Sequence, residues 1–129
     1  MKRVYFIKPI GMDGPIKIGC SVVPLSRLRA IEIWSPFQLE MLGSVEGDHN
    51  AETAVHYLFG DVRLHGEWFT ATAELQAFVA ETLALGRIPD RVLIPTNPRE
   101  WKKAWATAKG RRHKRDLATL DALLTERAA

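Results

Sequence analysis

A chain of 129 residues, 47% of them hydrophobic, is long enough for one domain with a real core and a short appendage, and too short for two full domains. Its single cysteine, Cys20, excludes an internal disulfide framework and a paired-cysteine zinc site, and points to a reducing, cytoplasmic setting. The formal charge of +3 is unevenly spread: nine Lys/Arg stand against eleven Asp/Glu in residues 1–98, eight against one in residues 99–115, and one against three in residues 116–129.

The second of those segments, at net +7, suits an anionic partner such as nucleic acid, and equally suits a solvated basic helix. Only four apolar residues precede Lys8, too few for a signal peptide. No later run approaches membrane-spanning length, so a soluble protein without membrane contact is expected.

Val4-Tyr5-Phe6-Ile7 is rich in strand formers, and Gly11-Met12-Asp13-Gly14-Pro15 carries the Asp-Gly pair favoured in hairpin turns. Ile16 and Ile18 alternate with Lys17 in a second short strand that Gly19 breaks. Period-two alternation puts Tyr5 and Ile7 on one face, and Tyr5 and Lys17 can point the same way. Ser21 can cap the next element, Pro24 suits a first helical turn, and Leu25 and Leu28 give helical spacing. A helix from Pro24 to Trp34 should end before Ser35-Pro36. Lys17 and Arg27 thus flank one strand-turn-helix, a place to hold phosphate.

Phe37 to Val45 reads as a third, half-buried strand. The polar Gly47-Asp48-His49-Asn50 cluster starts a second helix with an apolar stripe of Ala51, Val55, Leu58 and Phe59. Glu52 and His56, four apart, share one face of it, with His49 a turn earlier. Such a face can set a carboxylate and an imidazole beside a metal or a phosphate. It can equally hold a first-turn acid that complements the helix dipole and a partly buried polar histidine.

Gly66-Glu67-Trp68-Phe69-Thr70 reads as a short strand entering a helix capped by Thr70 or Thr72, with Trp68 and Phe69 in the core. Glu67 is either a functional group or a pairing partner. The helix Ala73 to Leu85 closes at Gly86, with Leu75, Phe78, Val79 and Leu83 at core spacing. Three prolines between Arg87 and Pro98 mark a linker and a boundary near Thr96, dividing the chain into a domain at 1–95 and a basic helical extension at 96–129. In the extension, Lys102, Lys103, Lys109, Arg111, Arg112, Lys114 and Arg115 are candidate nucleic-acid contacts. Trp101 and Trp105 share a helix face that could stack on bases or dock on the domain. A last helix, Asp116 to Arg127, carries a leucine stripe able to support self-association. The expected fold is α/β (α+β): a small three-stranded, mainly antiparallel sheet flanked by helices, with the basic extension behind it.

The order of these features resembles the GIY-YIG nuclease superfamily, in particular its phage-type DNA-binding branch with a Lys-Ile-Gly second motif, over about residues 3 to 80. Arg3-Val4-Tyr5 stands where Gly-Ile-Tyr is expected and Lys17-Ile18-Gly19 where Tyr-Ile-Gly is expected. Arg27 follows at the spacing of the family's helical arginine. Glu52, His56 and Gly66-Glu67-Trp68-Phe69 match the branch's later signature. The resemblance implies a DNA endonuclease that hydrolyses phosphodiester bonds with one divalent ion, Mg2+ or Mn2+, held by Glu52. Arg27 would brace the phosphate, and Tyr5 would position or activate water. Lys17 stands in for a second tyrosine, and it can act as a base only if burial or nearby cations lower its pKa. His56 and Glu67 would support this site.

Two other readings stand beside this one. In the first, the domain keeps the same fold and binds nucleic acid through Lys17, Arg27 and the extension without cutting it. In the second, the chain is a protein-interaction domain that uses the leucine stripe after Asp116. A nucleophilic Cys20 would need an adjacent histidine base, which the spacing does not provide.

Overall fold

A computed structural model of the chain describes residues 1–94 and residue 96. The extension, with its basic cluster, paired tryptophans and leucine stripe, lies outside the described residues. Strands β1 (Arg3–Pro9) and β2 (Ile16–Ser21) form the expected hairpin, followed by helix α1 (Pro24–Trp34) and strand β3 (Leu39–Glu46). Helix α2 (His49–Leu58), a short 3-10 turn, strands β4 (Arg63–His65) and β5 (Trp68–Phe69), and helix α3 (Ala73–Leu85) complete the order.

Local signals explain most boundaries. Pro24 opens α1, where its missing N–H costs nothing. The Asp48 carboxylate accepts the Ala51 N–H at 3.0 Å and starts α2. Thr72, one of the two candidate caps, accepts the Leu75 N–H at 3.2 Å, and Gly86 ends α3 in the left-handed region at φ 73°. Strand β3 begins later than the apolar pattern suggests. The Ser35 hydroxyl donates to the Phe37 carbonyl and accepts the Phe37 N–H, which holds that residue in a local turn and out of the ladder.

The class is the expected α+β, but the antiparallel sheet has five strands, in the order β3-β1-β2-β5-β4. Strand β5 falls within the short strand expected at Gly66–Thr70, whereas β4, three residues long, is below the length at which alternation is legible. Gly66, at φ 58°, turns β4 into β5, and β5 adds to the open edge of β2 with Ile16 opposite Phe69 and Lys17 opposite Trp68.

Alternation divides the sheet between two layers. Val4, Phe6, Ile16, Ile18 and Val45 face α2 and α3 and pack with Val55, Phe59, Phe69, Leu75 and Phe78. Tyr5, Ile7 and Leu39 face α1, where Leu28, Ile31, Met41 and Trp68 close over them. A one-residue irregularity in β3 opposite Phe6 and Ile7 switches the parity of that strand, so that Met41 faces α1 and Val45 faces the larger core. No helix among the described residues is long and apolar enough to cross a membrane.

Candidate functional site

The site forms where the α1 side of the sheet meets the first turn of α2. Register places Tyr5 opposite Gly19 and Ile7 opposite Lys17, so Tyr5, Ile7 and Lys17 share a face as alternation requires. Gly19 is there because of Tyr5. A Cβ on residue 19 would fall 2.2 Å from the phenol ring carbon and oxygen, so only a glycine lets the ring lie across β2. The ring is 1% exposed, and the Arg27 guanidinium is within hydrogen-bonding reach of its oxygen. Burial, then the charge of Glu67, raise the Tyr5 pKa above its ordinary 10 against the opposing pull of Arg27, so the phenol is protonated at neutral pH.

Helix α2 brings the acid. His56 donates from Nε2 to the Ile18 carbonyl at 2.8 Å, and its ring meets that of Phe69 at 5.1 Å. This contact pins α2 against β2 and sets Glu52, one turn earlier on the same face, beside the Lys-Ile-Gly strand. Burial is the main reason that His56 titrates below its ordinary range. With Nε2 committed to a backbone carbonyl, His56 acts as an anchor, with Glu52 Oε1 at 3.7 Å. Exposed His49 approaches the other oxygen of Glu52 at 3.9 Å.

Glu52 is 4% exposed, and its carboxyl is within hydrogen-bonding reach of the Glu67 carboxyl. Burial first, and then the Glu67 charge and hydrogen bond, push the Glu52 pKa up to about 7. Glu67 answers to a different neighbour. Burial works to raise its pKa, but the hydrogen bond and charge of Lys17 outweigh that, and it falls below the ordinary carboxylate value. Lys17 Nζ lies 2.6 Å from Glu67 Oε2 and 5.8 Å from the Trp68 ring centre. The hairpin is fixed to β2 by the Ile18 N–H, which donates to the Glu67 carbonyl at 3.0 Å.

Five side chains therefore stand in two neighbouring groups, Arg27 with Tyr5 and Lys17 with Glu67 and Glu52, coupled by the charges of Glu67 and Glu52 felt at Tyr5, with His56 bracing the helix behind them. Trp68, read from sequence as core alone, is half-buried and flanks Lys17. Only the cross-strand register of β2 and β5 reveals that pairing. Arg3 spends its guanidinium on Ser44 of β3, at 2.9 Å to both the hydroxyl and the carbonyl. Cys20 Sγ donates to the Gly47 carbonyl at 3.6 Å, and burial raises its pKa, which disfavours the thiolate a nucleophile needs.

Among the described residues no group of three or more His, Cys, Asp or Glu side chains forms a metal cage. Glu52 and Glu67 are instead a pair of hard oxygen donors. Such a pair suits Mg2+ or Mn2+, ions that take their other positions from water and substrate phosphate.

No curated protein and no solved structure gives a significant match to the chain. The family model for the T5orf172 domain matches residues 2–84. This is a different family from GIY-YIG, and it corrects the resemblance drawn from the short motifs. The physical reason is visible in the hairpin. A tyrosine lying over a glycine on the paired strand accounts for Arg3-Val4-Tyr5 and Lys17-Ile18-Gly19 as a packing arrangement, which does not distinguish one family from another. The T5orf172 family is one of nuclease-like, DNA-binding domains, consistent with nucleic-acid binding. Matched over well more than half of its length, the chain belongs to the T5orf172 domain family.

Proposed function

We propose that this domain hydrolyses phosphodiester bonds in DNA with one divalent cation, Mg2+ or Mn2+, held by Glu52. The observation that carries this reading is the proximity of Tyr5, Lys17, Arg27, Glu52 and Glu67, as an Arg27–Tyr5 pair and a Lys17–Glu67–Glu52 group close enough to act on one another's charge. Arg27 is exposed and presents a planar fork of donors to a phosphate. Lys17 adds a second positive charge from the strand and is held in place by Glu67 and Trp68. Tyr5, protonated and fixed by Arg27, orients a water through its phenol oxygen. Glu52 is the cation's carboxylate and Glu67 its partly exposed neighbour; the cation would stabilise the charge that develops on the leaving oxygen.

Incubation of the protein with single- and double-stranded DNA and either ion tests this. Cleavage that requires the metal and is lost in Glu52→Ala and Arg27→Ala is expected, and cleavage that survives Glu52→Ala would refute the role of that residue. A second reading, binding without cleavage, is favoured by the Lys17–Glu67 ion pair, because an internal carboxylate already occupies the strand's cation. It predicts salt-sensitive binding with no product at any metal concentration. In both readings the cations of the extension add grip. Replacing Arg111, Arg112, Lys114 and Arg115 by Gln should shrink the slope of log affinity against log salt by about 0.9 for each duplex phosphate that those cations neutralise.

A further inference from the structure

Helix α1 buries no residue fully, and its inward stripe of Pro24, Leu28, Ile31 and Glu32 is only half-buried. Its outward surface is exposed among the described residues. At 3.6 residues per turn, Arg27 and Trp34 differ by about 20° around the helix and stand about 10 Å apart along it. Trp34 thus lies on the flank that carries Arg27 to the Tyr5 phenol. It is 89% exposed, the most exposed of the large hydrophobic side chains among the described residues.

The charges of α1 favour one class of partner. Its single acid, Glu32, turns inward and accepts the Leu39 N–H at 2.9 Å, so the outward charges are those of Arg27 and Arg29. An arginine on the flank of an open indole suits a polyanion made of planar rings, whereas Arg29 stands about 140° from Trp34 around the helix. The spacing agrees. About 10 Å corresponds to roughly three nucleotides at ~3.4 Å each along a stacked strand. In a duplex those bases are paired and their faces closed, whereas in a single strand, a flap or a gap a base face is open to an aromatic ring.

We propose that Trp34 stacks on an unpaired base a few nucleotides from the phosphate held at Arg27, which makes single-stranded or branched nucleic acid the preferred substrate class. This rests on the reading that Arg27 binds phosphate. Fluorescence anisotropy of the full chain in EDTA, with labelled oligothymidylate and with a duplex of equal length, tests it. Trp34→Ala should weaken single-strand binding by about fivefold or more, while duplex binding changes by less than about twofold and Trp34→Phe retains most of the affinity. The salt slope should stay unchanged in Trp34→Ala and shrink in Arg27→Ala, because only the latter takes a cation away from a phosphate. Equal single-strand affinity of wild type and Trp34→Ala would overturn the proposal, and so would an equal loss on both ligands. Self-association that Trp34→Ala abolishes without any change in DNA binding would also overturn it, in favour of a protein partner. If the wild type binds neither ligand, the reading of the site itself fails, a result distinct from every one of these.

Discussion

Replacing Glu52 by glutamine should stabilise the protein above neutral pH while abolishing any metal-dependent activity. In the unfolded chain Glu52 ionises near its ordinary 4.5, and in the native site near 7. Between those values the native state holds a proton that the unfolded state has released, so stability falls as pH rises from about 4.5 to about 7 and is level beyond. At about 1.4 kcal/mol per pH unit the gap corresponds to at most about 3.5 kcal/mol, and relaxation around the charged pair brings the expected effect to about 1–3 kcal/mol. Glu67 acts in a separate window. Its lowered pKa contributes stability that is present above the ordinary carboxylate value and is lost only as pH falls below it. Urea unfolding in EDTA at a series of pH values should thus show the wild type losing stability relative to Glu52→Gln between about pH 4.5 and 7, while the opposite contribution of His56, whose lowered pKa makes stability rise with pH up to about 6.5, is common to both proteins. Added Mg2+ should then stabilise the wild type at pH 8, by binding the native state alone, and leave the variant unchanged. Parallel pH profiles for the two proteins would refute the argument that burial against Glu67 strains the ionised acid.

Two further substitutions separate architecture from chemistry. Gly19→Ala drives a methyl group into the buried Tyr5 ring and should cost about 1–3 kcal/mol with loss of activity, whereas Gly60→Ala, with nothing within 4 Å of its Cβ, should be close to neutral. Equal urea midpoints for these two variants would show that Gly19 has no such role. His56→Ala leaves the Ile18 carbonyl without its imidazole donor and should cost about 1–3 kcal/mol. The same change should lower metal affinity by unpinning Glu52, measurable by titration calorimetry as a loss that His56→Gln partly restores.

Much of the fold was legible because its signals are local. Pro24 and the Ser35-Pro36 pair bound α1 at the expected residues, and Thr72 and Gly86 bound α3. The five-strand sheet was not legible. Strand β5 exists because the Lys17 segment offers an open edge to Trp68 and Phe69, a long-range pairing that two residues cannot announce. The candidate residues were chosen by type and order, and the same order misled the assignment of family, since short motifs that encode a packing arrangement recur wherever that arrangement does. His56 shows the limit of spacing most plainly. Its distance from Glu52 along the helix fits a metal pair and a backbone anchor equally, and only the position of the Ile18 carbonyl selects the anchor.

By itself the sequence determined the β1–β2 hairpin, the three helices and most of β3, and which residues can carry charge to a phosphate. These depend on interactions within a few residues of one another, namely caps, turns and alternation. The tertiary structure alone decided that Glu67 lies between Lys17 and Glu52, that Trp68 flanks Lys17, and that Trp34 is left outside on the flank of Arg27. Those outcomes follow from strand register and from the angle at which α1 and α2 meet the sheet. Such quantities are fixed by packing between residues far apart in the chain, 38 positions for His56 to Ile18 and 50 for Lys17 to Glu67, and no local pattern encodes them.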